Sequence, residues 1–94
     1  MQLERKQIEK SLSQKGFQLE ERDHRFYFLY VDGQKTGIYT YVSTAPKYKT
    51  LQSPLISQMA KELRITRSEF TDLVQCPMDG PTYVAKLRQL GILV

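Results

Sequence analysis

A chain of 94 residues, 40% apolar and 26% charged, is expected to fold as one domain on one core, which excludes wholesale disorder. No stretch approaches the roughly 18 apolar residues of a membrane span, the charged opening Met1-Gln2-Leu3-Glu4-Arg5-Lys6 lacks the apolar region of a secretory signal, and the single Cys76 can close no internal disulfide. A reducing, cytoplasmic setting without membrane association is expected. The net charge of +4 is confined to the middle: residues 22–67 hold eight basic against three acidic side chains, whereas residues 1–21 sum to zero and 68–94 to −1. A local basic field of this kind favours polyanionic partners.

Residues 2–15 predict the first helix, with Leu3, Ile8 and Leu12 on its apolar stripe and Gly16 as its stop. Residues 17–21 predict a short strand with alternating apolar positions. The strongest strand signal is Arg25-Phe26-Tyr27-Phe28-Leu29-Tyr30-Val31, followed by Asp32-Gly33, a pair suited to the positive φ angles of a two-residue hairpin turn. Residues 35–43 then pair back, which completes a three-stranded antiparallel meander. Both faces of its middle strand are apolar, so either helices cover both faces or the second face meets a partner.

Residues 44–50 predict a basic loop. Ser53-Pro54 predicts a helix start, with Leu55, Ile56, Met59, Ala60 and Leu63 facing the core. Thr66-Arg67-Ser68-Glu69 predicts a capping box and a third helix carrying Phe70, Leu73 and Val74. Cys76-Pro77-Met78 ends that helix, with Cys76 expected to pack there. Asp79 predicts the cap of a last helix with Tyr83, Leu87 and Leu90 at helical spacing, stopped by Gly91.

Chemistry-bearing residues are few. His24, at the head of the aromatic strand, is the single histidine and the one side chain that titrates near neutrality unaided. His24 and Cys76 are the only soft metal ligands, too few for a structural zinc site, so no metal and no cofactor are expected. Arg22, Arg25, Lys47 and Lys49 are the cations placed to hold a phosphodiester. RNA carries its own nucleophile in the 2′-hydroxyl, so one histidine can act as general base or acid while these cations take up charge on phosphorus.

The order helix, three antiparallel strands, helix resembles the double-stranded-RNA-binding-domain fold. More narrowly, residues 3–65 resemble the HicA family of toxins from toxin–antitoxin pairs. The resemblance is carried by Lys15-Gly16-Phe17 at the end of the first helix and by His24 seven residues after Phe17. It continues through the aromatic strand, the Asp32-Gly33 hairpin, and a third strand leading through a proline-containing loop into a helix. Arg22-Asp23 stands where the family usually has Gly-Ser, and no second histidine follows the third strand. The resemblance implies an α+β core over residues 1–65; the two helices read from the residues over 66–94 have no counterpart in the short toxins and extend the same domain. The resemblance also implies a metal-independent messenger-RNA endoribonuclease with His24 as its catalytic residue, and a cognate antitoxin as partner.

Two other uses of the same residues stay open. Lys47, Tyr48, Lys49, Lys61, Arg64 and Arg67 could bind RNA without cleaving it. The tyrosines of the paired strands, Tyr27, Tyr30, Tyr39 and Tyr41, could face an antitoxin or a second copy in a homodimer.

Overall fold

The computed structural model describes residues 2–45, 49–75 and 77–93. Its first element is a strand, β1 (Gln2–Glu4), where local periodicity predicts helix from residue 2. β1 pairs antiparallel with another three-residue strand, β5 (Thr50–Gln52), which falls at the end of the expected loop. Leu3 lies opposite Leu51, both are buried, and the Arg5 amide continues the ladder to the Lys49 carbonyl at 2.8 Å. The partner is nearly fifty residues away, so neighbouring residues carry no trace of the pairing.

Helix α1 (Arg5–Gln14) buries Ile8 and Leu12 of the predicted stripe together with Ser11, while Leu3 of that stripe lies in β1, and Gly16 follows at φ +98°. Strands β2 (Phe17–Glu21), β3 (Arg25–Val31) and β4 (Gln34–Val42) form one antiparallel sheet in the order β2-β3-β4. Asp32 and Gly33 turn between β3 and β4 at φ +52° and +78°, the conformation that dipeptide favours. Further along, Phe28 pairs with Tyr39 but Tyr30 with Lys35, so residues 36–38 of β4 stand opposite Leu29 alone. The Thr36 hydroxyl donates to the Leu29 carbonyl at 2.8 Å and holds this bulge. Two extra residues preserve the alternation of β4: Ile38, Thr40 and Val42 stay buried, while Tyr39 and Tyr41 face out.

Helix α2 (Ser53–Glu62) buries Ile56, Met59 and Ala60 against the sheet side that also carries Phe17, Tyr27 and Leu29. It begins one residue earlier than a serine cap would place it, after Gln52. Helix α3 (Arg67–Gln75) starts in the predicted capping box. The Glu69 carboxylate accepts from the Thr66 amide at 2.9 Å, and the Thr66 hydroxyl accepts from the Glu69 amide at 3.1 Å. Helix α4 (Gly80–Gln89) is capped by Asp79, which accepts from the Thr82 amide at 2.8 Å. Leu90, predicted on its apolar stripe, is 57% exposed, because the helix stops at Gln89 and the chain reverses at Gly91.

Residues 66–93 share the core of the preceding part: Phe70, Leu73, Val74, Tyr83 and Leu87 are buried in the same cluster. The free carbonyls at the end of α3 are taken up by α1. The Ser11 hydroxyl donates to Val74, and the Lys15 ammonium donates to Leu73 and Met78, each at 2.6 Å. Gly80 lets α4 press against this junction, since a Cβ there would lie 3.0 Å from the Lys15 carbonyl oxygen. Tyr83 stacks on Phe17 at 5.9 Å and donates to the Leu63 carbonyl at 2.7 Å. The result is an α+β molecule with all four helices gathered away from one sheet face. No helix among the described residues is long and apolar enough to cross a membrane.

Candidate functional site

The sheet face turned away from the helices is made of rings. On β3, alternate residues Phe26 and Phe28 point outward, directly opposite Tyr41 and Tyr39 of β4. The two cross-strand pairs have centroids 5.4 Å and 5.1 Å apart, and Phe26 also lies 6.2 Å from Phe28 and 5.9 Å from Tyr39. Such contacts contribute on the order of 0.2–1 kcal/mol each. They leave the tyrosine rings largely in water, with Tyr39 42% and Tyr41 36% exposed, and Phe26 and Phe28 half-buried between them. A contiguous bare aromatic surface costs solubility, and it marks a site where something else is stacked or docked.

Cations frame this surface. The Arg22 guanidinium lies 5.6 Å and 5.9 Å from the Phe26 and Phe28 ring centres, and the Lys35 ammonium lies 3.9 Å from that of Phe28. Both also bond Glu20, at 2.9 Å and 2.6 Å. Lys35 first, and Arg22 with it, holds the Glu20 carboxyl below the usual carboxylate range.

His24 ends the row. Its ring stacks on Tyr41 at 5.3 Å and an angle of 19°. The turn that carries it is closed by the Arg22 amide donating to the His24 carbonyl at 2.9 Å. Asp23 accepts the His24 backbone N–H at 3.1 Å, so this carboxylate steadies the turn and not the imidazole. No described residue hydrogen-bonds the imidazole nitrogens.

Beyond the ring row, the His24–Tyr41 corner opens into a cleft of about 240 Å³ between the end of β4 and α2. Val42, Leu51, Leu55 and Met59 supply its apolar lining, and Ser43, Gln58 and Glu62 its polar groups. Glu62 is half-buried and accepts from the buried Thr40 hydroxyl at 2.7 Å. No cation among the described residues pairs with it.

The sequence-predicted cations divide. Arg22 stands on the ring face beside Phe26. Arg25 points to the helix side, where the Glu9 carboxylate accepts from it at 3.1 Å and 3.3 Å. That carboxylate, which also accepts from the Tyr27 hydroxyl at 2.7 Å, raises the pKa of the Arg25 guanidinium. Lys49 is exposed, and Lys47 lies outside the described residues, as do Pro46, Tyr48 and Cys76. Lys35 and Glu62 are the site residues that residue types alone did not single out. For Lys35 the signal was present: Asp32-Gly33 sets the strand pairing, and odd-numbered positions of β4 then share the Phe26–Phe28 face. Glu62 had no comparable signal, because its place depends on how α2 crosses the sheet.

No family model, no curated protein and no solved structure matches this chain.

Proposed function

We propose that this protein acts on RNA, holding a single strand across the open sheet face and presenting it to His24 for metal-independent cleavage, in the manner of the HicA-like toxins it resembles. The observation that carries the proposal is the continuous ring row His24–Tyr41–Phe26–Phe28–Tyr39, flanked by Arg22 and Lys35. Aromatic side chains take unpaired bases by stacking, which contributes about 1–3 kcal/mol per base, and neighbouring cations follow the backbone. A duplex hides its base faces, so a ring platform favours a single strand. The succession of α1, the β2–β3–β4 meander and α2, with the short strands β1 and β5 added before α1 and before α2, supports the double-stranded-RNA-binding-like reading. In a toxin–antitoxin pair, the antitoxin would cover this same face.

His24 supplies one proton-transfer group, and no described residue hydrogen-bonds its ring nitrogens. It would take the proton of a 2′-hydroxyl or give one to the leaving oxygen, a contribution of roughly 10²- to 10⁴-fold. Arg22 is the strand-end cation on the same face, available to neutralise the phosphorane. One observation favours binding without cleavage: Glu9 holds Arg25 on the opposite face, so Arg22 acts there without it.

The two are separated on a labelled single-stranded transcript in EDTA. The wild type is expected to bind with salt-dependent affinity and to cleave, while His24→Ala binds but loses cleavage by at least a hundredfold. Equal decay with both proteins removes His24 from the chemistry and leaves a binding protein. Failure of the transcript to bind at any salt concentration removes the RNA assignment altogether.

A further inference from the structure

The cleft beside His24 contains a polar arrangement that general RNA stacking does not use. Glu62 is a half-buried carboxylate without a counter-ion among the described residues, anchored through one oxygen by the Thr40 hydroxyl, in an otherwise largely apolar lining. A carboxylate in such a place is strongly favoured by N–H donors brought to it, because its hydration is already partly stripped. The space, about 240 Å³, lies below the roughly 300–1,000 Å³ of clefts that enclose drug-sized ligands, and it suits one planar ring system. The His24–Tyr41 stack forms one wall.

We infer that this cleft is a guanine pocket: it takes one guanine base of the bound strand and reads its Watson–Crick edge with Glu62. The inference rests on the RNA assignment above and adds base specificity to it. The donor pattern selects among the four bases. Guanine presents two adjacent donors, N1–H and the N2 amino group, which match the two oxygens of a carboxylate. Adenine and cytosine present one amino donor beside a ring-nitrogen acceptor, and that lone pair faces the carboxylate unfavourably. Uracil presents its N3–H between two carbonyl oxygens, which are repelled on both sides. Gln58 and Ser43, on the same rim, can serve the remaining polar atoms of the base. The proposal commits to guanine carried in an RNA strand, where Tyr41 and Phe26 hold the neighbouring bases and add to the affinity.

The test is fluorescence anisotropy with a labelled uridine oligomer and three variants in which one central position is guanosine, adenosine or cytidine. The guanosine oligomer is expected to bind roughly five- to a hundredfold more tightly than the others, the discrimination of one good bidentate base contact. Replacing the guanosine by inosine, which lacks the N2 amino group, should remove part of that gain. Glu62→Gln retains an oxygen for the Thr40 hydroxyl but loses the bidentate anion. It should abolish the guanosine preference while affinity for the plain uridine oligomer stays within about twofold. Equal affinity for all four oligomers, or a preference that survives Glu62→Gln, overturns the guanine pocket and leaves RNA binding standing. Guanosine monophosphate competing at the same concentration as the guanosine oligomer overturns the commitment to strand-borne guanine. Failure to bind any oligomer overturns both assignments.

Discussion

Neighbouring residues of β3 sit in different solvents. Tyr27 and Leu29 are sealed beneath α1 and α2 with Phe17, Ile38 and Val42, whereas Phe26 and Phe28 look outward at other rings and water. What separates them is the reach of the helices: α1 and α2 both pack on one side of the sheet, α3 packs against both, and α4 reaches the same side through the Tyr83–Phe17 stack. The covered face therefore carries stability and the bare face is free to carry recognition, and each can be perturbed without the other.

The sharpest way to break that comparison is a pair of truncations. Leu29→Ala is expected to cost about 2–5 kcal/mol in urea unfolding, because a fully buried side chain leaves a cavity. Phe28→Ala should cost about 1–2 kcal/mol, the loss of half-buried contacts to Phe26 and Tyr39, yet weaken single-stranded RNA binding by roughly five- to a hundredfold. Equal destabilisation by the two would make the ring face a structural element and not a platform.

On the covered side, Lys15→Met is expected to destabilise by about 2 kcal/mol, since it leaves the Leu73 and Met78 carbonyls without their donor at the end of α3. RNA affinity should be unchanged at temperatures where the variant is folded. A drop in affinity would show that the two faces are coupled.

Alkaline pH separates the faces by another route. Burial first, then the hydrogen bond to Glu9, pushes the Tyr27 phenol above its ordinary value of 10.0, and burial does the same to Tyr83. The folded state therefore keeps these protons where the unfolded chain begins to release them. Their stabilising contribution is complete below pH 10 and declines as the pH rises past it. The unfolding midpoint should fall steeply above pH 10 in the wild type and less steeply in Tyr27→Phe, as followed by far-ultraviolet circular dichroism.

The smallest effect concerns a helix stop. α2 and α4 end in the same cap: the amides of Arg64 and Ile65 donate to Lys61 and Ala60, just as those of Gly91 and Ile92 donate to Arg88 and Leu87. Gly91 takes φ +75° freely, but Arg64 is held at +66°, where a side chain is strained. Arg64→Gly is expected to stabilise by up to about 1 kcal/mol and raise the thermal midpoint by a few degrees. A decrease would mean that the Arg64 side chain contributes packing that outweighs its backbone strain.

Much of the fold was legible residue by residue. The Thr66–Glu69 capping box, the Asp79 cap, the Asp32-Gly33 turn and the Ile8–Leu12 part of the α1 stripe all act within a few positions, and each forms where its residues predict. The β1–β5 ladder was not legible, because three-residue strands carry no periodicity and their pairing is long-range. Of the site, His24 and Arg22 stood out by type and position. Arg25 differed from expectation because strand alternation sends it to the helix side, where Glu9 waits.

By itself, then, the sequence determined the order of the four helices and the three meander strands, the caps of α3 and α4, and the alternation that gives β3 two apolar faces, since these depend on local hydrogen bonds and on the two-residue period of a strand. Three matters were decided only by tertiary structure: which face the helices would cover, the bulge at residues 36–38 that brings Tyr41 against Phe26 and so under His24, and the placing of Glu62 in the cleft beside them. Each of these depends on contacts between elements, and so on the packing of the whole chain.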